Sequence, residues 1–169
     1  MKKIIRHISQ VFFIAAMPIF SWSQNPEGFD KMAKKMAEKS VPIIQSKQVN
    51  SLVTKGENIV FLDAREKNEY QVSHIKNSKF VGYDNFSMSS VVDIPKNQMI
   101  VVYCSVGYRS GKIGAKLREA GYTSVFNLYG GIFDWANNGF EIYQEKKIVK
   151  KVHPYNSKWG KWLKPELRN

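Results

Sequence analysis

Cysteine is almost absent: Cys104 is the single one among 169 residues. That excludes an internal disulfide framework, a cysteine-rich zinc site and a C-x-x-C redox pair. Histidine is nearly as scarce, and His7, His74 and His153 are too scattered to form a metal constellation. No metal and no cofactor are therefore expected. Acidic side chains are also few, 14 against 26 basic ones, for a formal charge of +12. No apolar run reaches the roughly 20 residues needed to span a bilayer. Repeats and low-complexity tracts are missing too. Against these absences stand 43% hydrophobic and 13% aromatic residues, enough for a real core. Wholesale disorder is ruled out, and the length fits one domain with extensions.

The basic excess is uneven. Residues 1–23 carry Lys2, Lys3 and Arg6 with no acid, then an uninterrupted apolar run over residues 11–20. Ser21 and Ser23 place small residues three and one positions before a cut ahead of Gln24. This is the pattern of an export signal, with an uncleaved anchor as the alternative. It predicts an exported protein, most simply a periplasmic one, for which nucleic acid is not an expected partner. Residues 141–169 hold eight basic and three acidic side chains, whereas residues 24–140 hold fifteen and eleven. The central region is thus close to ordinary in charge.

Residues 24–45 read as a helical N-terminal extension. Asn25, Pro26 and Glu27 open a helix, Phe29, Met32 and Met36 recur at helical spacing, and Val41-Pro42 closes it. From residue 46 to 142 short apolar strands alternate with helices. Ser46 is expected to cap a helix carrying Val49 and Leu52, and residues 59–62, 80–81, 99–103 and 125–128 read as strands. Helices are expected over residues 66–72 and 110–120 and around Trp135. Fully apolar strands between helices imply an α/β fold: an open, mainly parallel sheet with helices on both faces.

The strand over residues 99–103 runs straight into Cys104, then Ser105, Val106, Gly107, Tyr108 and Arg109, then a helix. In open α/β sheets, ligands bind where strands end and helices begin. Amide hydrogens of such a turn make an anion cradle, with the helix dipole behind it. Gly107 supplies the backbone freedom of a tight loop, and Gly111 and Gly114 permit close approach of the helix to the sheet. Helix terminus, amides and Arg109 all favour thiolate over thiol, which makes Cys104 a candidate nucleophile. A buried cysteine that only fills the end of a strand is the plainer alternative.

Three motifs carry a resemblance. Residues 104–110 (CSVGYRS) resemble the active-site loop of single-domain rhodanese-like sulfurtransferases. Residues 63–75 (DAREKNEYQVSHI) resemble their upstream signature, and residues 130–135 (GGIFDW) their closing motif. Ser73 stands where that family commonly has glycine. The resemblance implies a sulfur-carrying enzyme in which Cys104 takes the outer sulfur of a small anionic donor such as thiosulfate. A thiol, or cyanide in an assay, would then accept it. Cys104 and Arg109 would be catalytic, with Ser105, Val106, Gly107, Tyr108 and Ser110 cradling the donor and Ser110 favoured as a helix cap. Asp63 and Arg65 would add loop ordering and positive field, with an Arg65–Glu69 pair at helical spacing as the alternative for Arg65. His74 reads as a hydrogen-bonding residue of a turn or core, and Trp135 as packing.

Two other functions stay open. One is a non-enzymatic sulfur-binding, sensing or docking module. The other is a phosphatase or arsenate reductase, whose loops have five residues between cysteine and arginine where this one has four. The extension over residues 143–169 carries Trp159 and Trp162 among lysines. It reads as an arm wrapping the domain, with a contact to an anionic membrane surface or an acidic partner as the sharper alternative.

Overall fold

The computed structural model describes residues 26–169. The export signal expected over residues 1–23, and the cap expected at Asn25, lie outside the described residues. Among those described, no helix is long and apolar enough to cross a membrane.

In chain order the elements are α1 (Pro26–Met36), β1 (Ile43–Ile44), α2 (Ser46–Thr54), β2 (Val60–Asp63), α3 (Lys67–Val72), β3 (Lys79–Phe80), β4 (Ile100–Tyr103), α4 (Tyr108–Glu119), β5 (Val125–Leu128), α5 (Gly131–Asn137), β6 (Ile142–Gln144), β7 (Lys147–Val149) and α6 (Ser157–Gly160). Short 3₁₀ turns span Met88–Val91 and Pro165–Leu167. Five strands form one parallel sheet in the order β1-β5-β4-β2-β3. β4 lies at its centre, and all four of its residues are buried.

Alternation along the strands sorts the core into two layers, as the period of two requires. Phe61, Val101, Tyr103 and Leu128 face a layer with Val49 of α2 and Ile132, Phe133 and Trp135 of α5. Leu62, Ile100, Val102 and Val125 face the opposite layer, with Ile113 and Leu117 of α4 and Val91. The sheet is therefore covered on both faces, which is why its strands are apolar throughout.

Both extensions pack on this domain. Phe29, Met32 and Met36 of α1 lie against the first layer, with Leu163, Val152, Trp159 and Trp162 of the C-terminal segment. The two segments meet edge-on at Phe29 and Trp162, whose ring centres are 5.9 Å apart. β6 and β7 form an antiparallel hairpin, so the alternating lysines over residues 146–151 begin as a strand. The C-terminal segment packs on the domain with Trp159 and Trp162 half-buried, where the wrapping expectation had the tryptophans buried.

Three local expectations differ. β1 was not expected: two residues suffice because they pair with Asn127 and Leu128 of β5. Ser46 is the first residue of α2 and Gln45 occupies the cap position. A side chain at Gly111 would meet the Glu38 side chain at 2.8 Å, and one at Gly114 would meet Val41 at 3.0 Å. The glycines of α4 thus admit the segment that follows α1 more than they admit the sheet.

Candidate active site

The sequence at residues 104–107 ends β4 and starts α4 within one tight turn. Gly107 takes φ 107°, a left-handed conformation open to glycine, and caps the helix. This turn directs the Gly107 N–H at the Cys104 Sγ, 3.1 Å away. The 12-residue α4 begins at Tyr108, so the positive end of its dipole lies beside this turn. Below the turn lies Gly131, whose missing side chain makes room for the loop. A Cβ there would sit 2.2 Å from the Cys104 carbonyl oxygen. The amides of Ile132 and Phe133 instead donate to the carbonyls of Cys104 and Ser105, at 2.9 and 3.2 Å. Gly131 and the first amides of α5 therefore support the Cys104 loop from beneath.

Cys104 itself is buried and unpaired, at the floor of a cleft of about 500 Å³. Ser105, Val106, Tyr108 and Arg109 line that cleft as well. Ser110 has a role other than the expected cap. Its hydroxyl donates to Asn127 Oδ1 at 2.8 Å and lies 3.5 Å from the sulfur. Asn127 in turn donates to the Gly107 carbonyl at 2.9 Å. This buried amide braces both ends of the loop; in the sequence it sits unmarked inside an apolar strand.

Arg109 does not stand free. Its two terminal nitrogens donate to the Glu69 carboxylate at 2.7 and 2.9 Å, a bidentate pair. Glu69 also accepts from the Ser105 hydroxyl at 2.9 Å and from the Glu66 amide at 3.0 Å. Burial pushes the Glu69 carboxyl up, but the bonds from Arg109 outweigh it and hold the group below its ordinary value. Burial likewise opposes the charge on Arg109, and the Glu69 bonds restore it, so Arg109 stays firmly protonated. A second carboxylate, Glu66, is 3.7 Å from the same guanidinium.

Asp63 and Arg65 do not line the cleft. Both side chains are fully buried and bonded to each other, with Arg65 Nη2 2.7 Å from Asp63 Oδ2. Arg65 also donates to the Ser73 carbonyl at 2.6 Å. The substrate contact expected of these two is corrected to a structural one, and the alternative Arg65–Glu69 pair is replaced by the Arg65–Asp63 pair. The physical reason is reach: Arg65 turns back to the carboxylate two residues earlier, leaving Glu69 to Arg109. Ser73 has φ −168°, extended backbone that any residue adopts, so its substitution for glycine leaves the fold unstrained. His74 is buried against Tyr70, its ring stacked at 4.1 Å and its Nδ1 3.1 Å from the Tyr70 carbonyl. Trp135 is in the core.

Residues outside the motifs complete the cleft: Met36 of α1, Tyr83, Asp84, and Tyr155 and Trp159 of the C-terminal segment. The Tyr155 ring lies 5.0 Å from the Arg109 guanidinium, in cation–π range. Charge and spacing in the sequence offered no signal for this neighbour. Among the described residues there is no group of histidines, cysteines and carboxylates able to hold a metal.

Comparison with known proteins agrees with this geometry. The family model for the rhodanese-like domain matches residues 45–138. A tRNA uridine(34) hydroxylase of Yersinia enterocolitica is 28% identical over 129 residues, which are 73% of this chain and 37% of that protein. The Erwinia tasmaniensis protein of the same name is 33% identical over the same shares. The chain thus spans little more than a third of the length of these curated relatives. Among solved structures, the thiosulfate sulfurtransferase of Pseudomonas aeruginosa superposes with TM-score 0.57 at 23% identity, covering 69% of this chain and 22% of that one. The rhodanese-like domain of an Anabaena protein gives TM-score 0.56 at 23% identity, covering 68% and 89%. These structural likenesses concern the fold alone. By the match of its central region and the parallel sheet that carries Cys104, the chain belongs to the rhodanese-like domain family.

Proposed function

We propose that this protein is a sulfurtransferase that carries sulfane sulfur as a persulfide on Cys104. The observation that supports this best is the Cys104 sulfur on the floor of an open cleft, receiving the Gly107 N–H at the start of α4. Amide donors and a helix N-terminus stabilise negative charge on sulfur in both the thiolate and the persulfide. With thiosulfate as donor, the Cys104 thiolate attacks the outer sulfur, a new S–S bond forms, and sulfite leaves with the electron pair of the broken bond. An acceptor thiolate, or cyanide, then attacks the outer persulfide sulfur and regenerates the Cys104 thiolate. Such two-step covalent transfer gives ping-pong kinetics. Arg109, locked on Glu69, keeps the loop in place and contributes a partly neutralised charge to the cleft wall.

The test is intact-mass spectrometry after incubation with thiosulfate, beside a sulfur-transfer assay to cyanide. One added sulfur atom on the protein, absent from Cys104→Ser, is the expected result. Hydrolysis of an aryl phosphate without any sulfur uptake would overturn the reading. We also propose export of the chain through residues 1–23, which fractionation of expressing cells would check: recovery of a shortened chain outside the cytoplasm is expected, full-length chain inside it is not.

A further inference from the structure

The domain that bears Cys104 does not form the whole cleft above it. Tyr155 and Trp159 come from the C-terminal segment and Met36 from α1, and all three stand on the cleft wall. They are held there by packing on both sides. Leu163 and Val152 are buried in the core, Trp162 meets Phe29, and Asn137 donates to the Trp162 carbonyl at 2.8 Å. The Asn156 side chain accepts from the Trp159 amide at 3.2 Å and caps α6. Tyr155 adopts φ 63°, a left-handed conformation rare for a residue with a side chain. Its amide donates to His153 Nδ1 at 3.0 Å. This strained backbone presents the tyrosine ring to Arg109 while leaving the residue 48% exposed.

The chemistry of this wall differs from that of the floor. Tyr83, Tyr108, Tyr155, Trp159 and Met36 give it aromatic and apolar surface, and Glu66 and Asp84 give it negative charge. The lining cation, Arg109, has its fork occupied by Glu69. The cleft volume of about 500 Å³ is in the range of small-molecule sites of roughly 300–1,000 Å³. Thiosulfate or cyanide fills a small part of it. A dianion gains little from such surroundings, whereas an organic molecule of neutral or positive charge gains apolar contact.

We propose that Tyr155 and Trp159 are specificity-determining residues of the sulfur-transfer site. The acceptor class they select is a low-molecular-weight organic thiol with an apolar or aromatic body and no net negative charge beyond its sulfur. This rests on the sulfurtransferase reading above. The acceptor thiolate attacks the outer sulfur of the Cys104 persulfide, the internal S–S bond breaks, Cys104 leaves as thiolate, and the acceptor leaves as an organic persulfide. No oxidant or reductant is consumed.

The experiment uses the full chain, loaded with sulfur from thiosulfate and checked by intact mass. Discharge is then followed against benzyl mercaptan, 2-mercaptoethanesulfonate and cyanide. In the wild type, kcat/KM for benzyl mercaptan is expected to exceed that for the sulfonate by at least about tenfold, a typical return for one apolar contact region. Tyr155→Ala and Trp159→Ala, each checked by thermal melt, are expected to reduce the benzyl mercaptan to cyanide ratio about tenfold, through KM more than kcat. Tyr155→Phe is expected to restore that ratio. If the wild type loads sulfur but shows no preference, or both variants keep the wild-type ratio, the inference fails while the sulfurtransferase reading stands. If the wild type takes up no sulfur, that reading itself fails. Should an alanine variant melt early, Tyr155→Gln and Trp159→Gln keep more of the side-chain bulk while removing the apolar ring, and the same loss of ratio, about tenfold, is expected.

Discussion

The guanidinium of Arg109 is clamped on the carboxylate of Glu69, which lies 40 residues earlier in the chain, by hydrogen bonds of 2.7 and 2.9 Å. The clamp ties α3 to the Cys104 loop, and it defines what the arginine can do. A cation with a bidentate partner orients the loop before it attracts a substrate.

Glu69→Gln keeps the shape of that contact and removes its charge. Breaking a buried ion pair on one side costs about 3–5 kcal/mol, and chemical denaturation would measure it. The folded Glu69 carboxyl holds its proton less tightly than the unfolded one, whose ordinary value is 4.5. Its contribution is therefore complete above that value and lost as pH falls through the lower folded one. Wild-type stability measured from pH 6 downward is expected to fall more steeply than that of Glu69→Gln.

Arg65→Met leaves the Asp63 carboxylate buried without its partner. A loss of about 3–5 kcal/mol is expected, and most of it should return in the Asp63→Asn, Arg65→Met double variant, since the two residues are directly coupled. Calorimetry on the two single variants and the double one gives the coupling. Because neither side chain lines the cleft, sulfur uptake at Cys104 below the melting temperature is expected to persist in the double variant.

Gly131→Ala places a methyl group against the Cys104 carbonyl, at φ 57°. Overpacking and left-handed strain together predict a loss of about 3 kcal/mol, with a displaced loop and sulfur transfer reduced at least about tenfold. Gly121→Ala is the control. Gly121 also has positive φ, 88°, but no atom within 4 Å of the added carbon, so about 1 kcal/mol and full activity are expected. Equal activity in the two variants would remove the close-approach explanation of Gly131.

Leu163→Ala empties a fully buried position of the C-terminal segment. A loss of about 2–5 kcal/mol is expected, read from the denaturation midpoint. Removal of residues 145–169 is expected to lower the melting temperature further. If it left that temperature unchanged, the segment would not be part of the folded unit.

The central sheet was legible because its strands are short apolar runs bounded by turn residues, and β4 and β5 lie where those runs predict. The loop after β4 was equally legible, since an apolar strand that runs through glycine into a helix marks a tight strand-to-helix turn. β1 was not: two residues carry no period, and only pairing with β5 makes them a strand. Glu69 was read as a helical neighbour of Arg65 because spacing along one helix is visible in sequence and contact across 40 residues is not. Asn127 was hidden by its setting in β5, where burial makes a polar side chain informative only once its partners are known. Trp159 was visible as an aromatic residue in a basic arm and Tyr155 went unmarked, and nothing in their spacing placed either on the cleft of Cys104.

The edge-on meeting of Phe29 and Trp162 joins the two segments that flank the domain. During synthesis the stretch containing Cys104 emerges before the stretch containing Trp162, and domains generally fold as units as they emerge. Met36 and Tyr83 of the cleft wall precede Cys104 in the chain and Tyr155 and Trp159 follow it, so the wall is assembled from both sides of the turn. The floor of the cleft and part of its wall come from different parts of this chain.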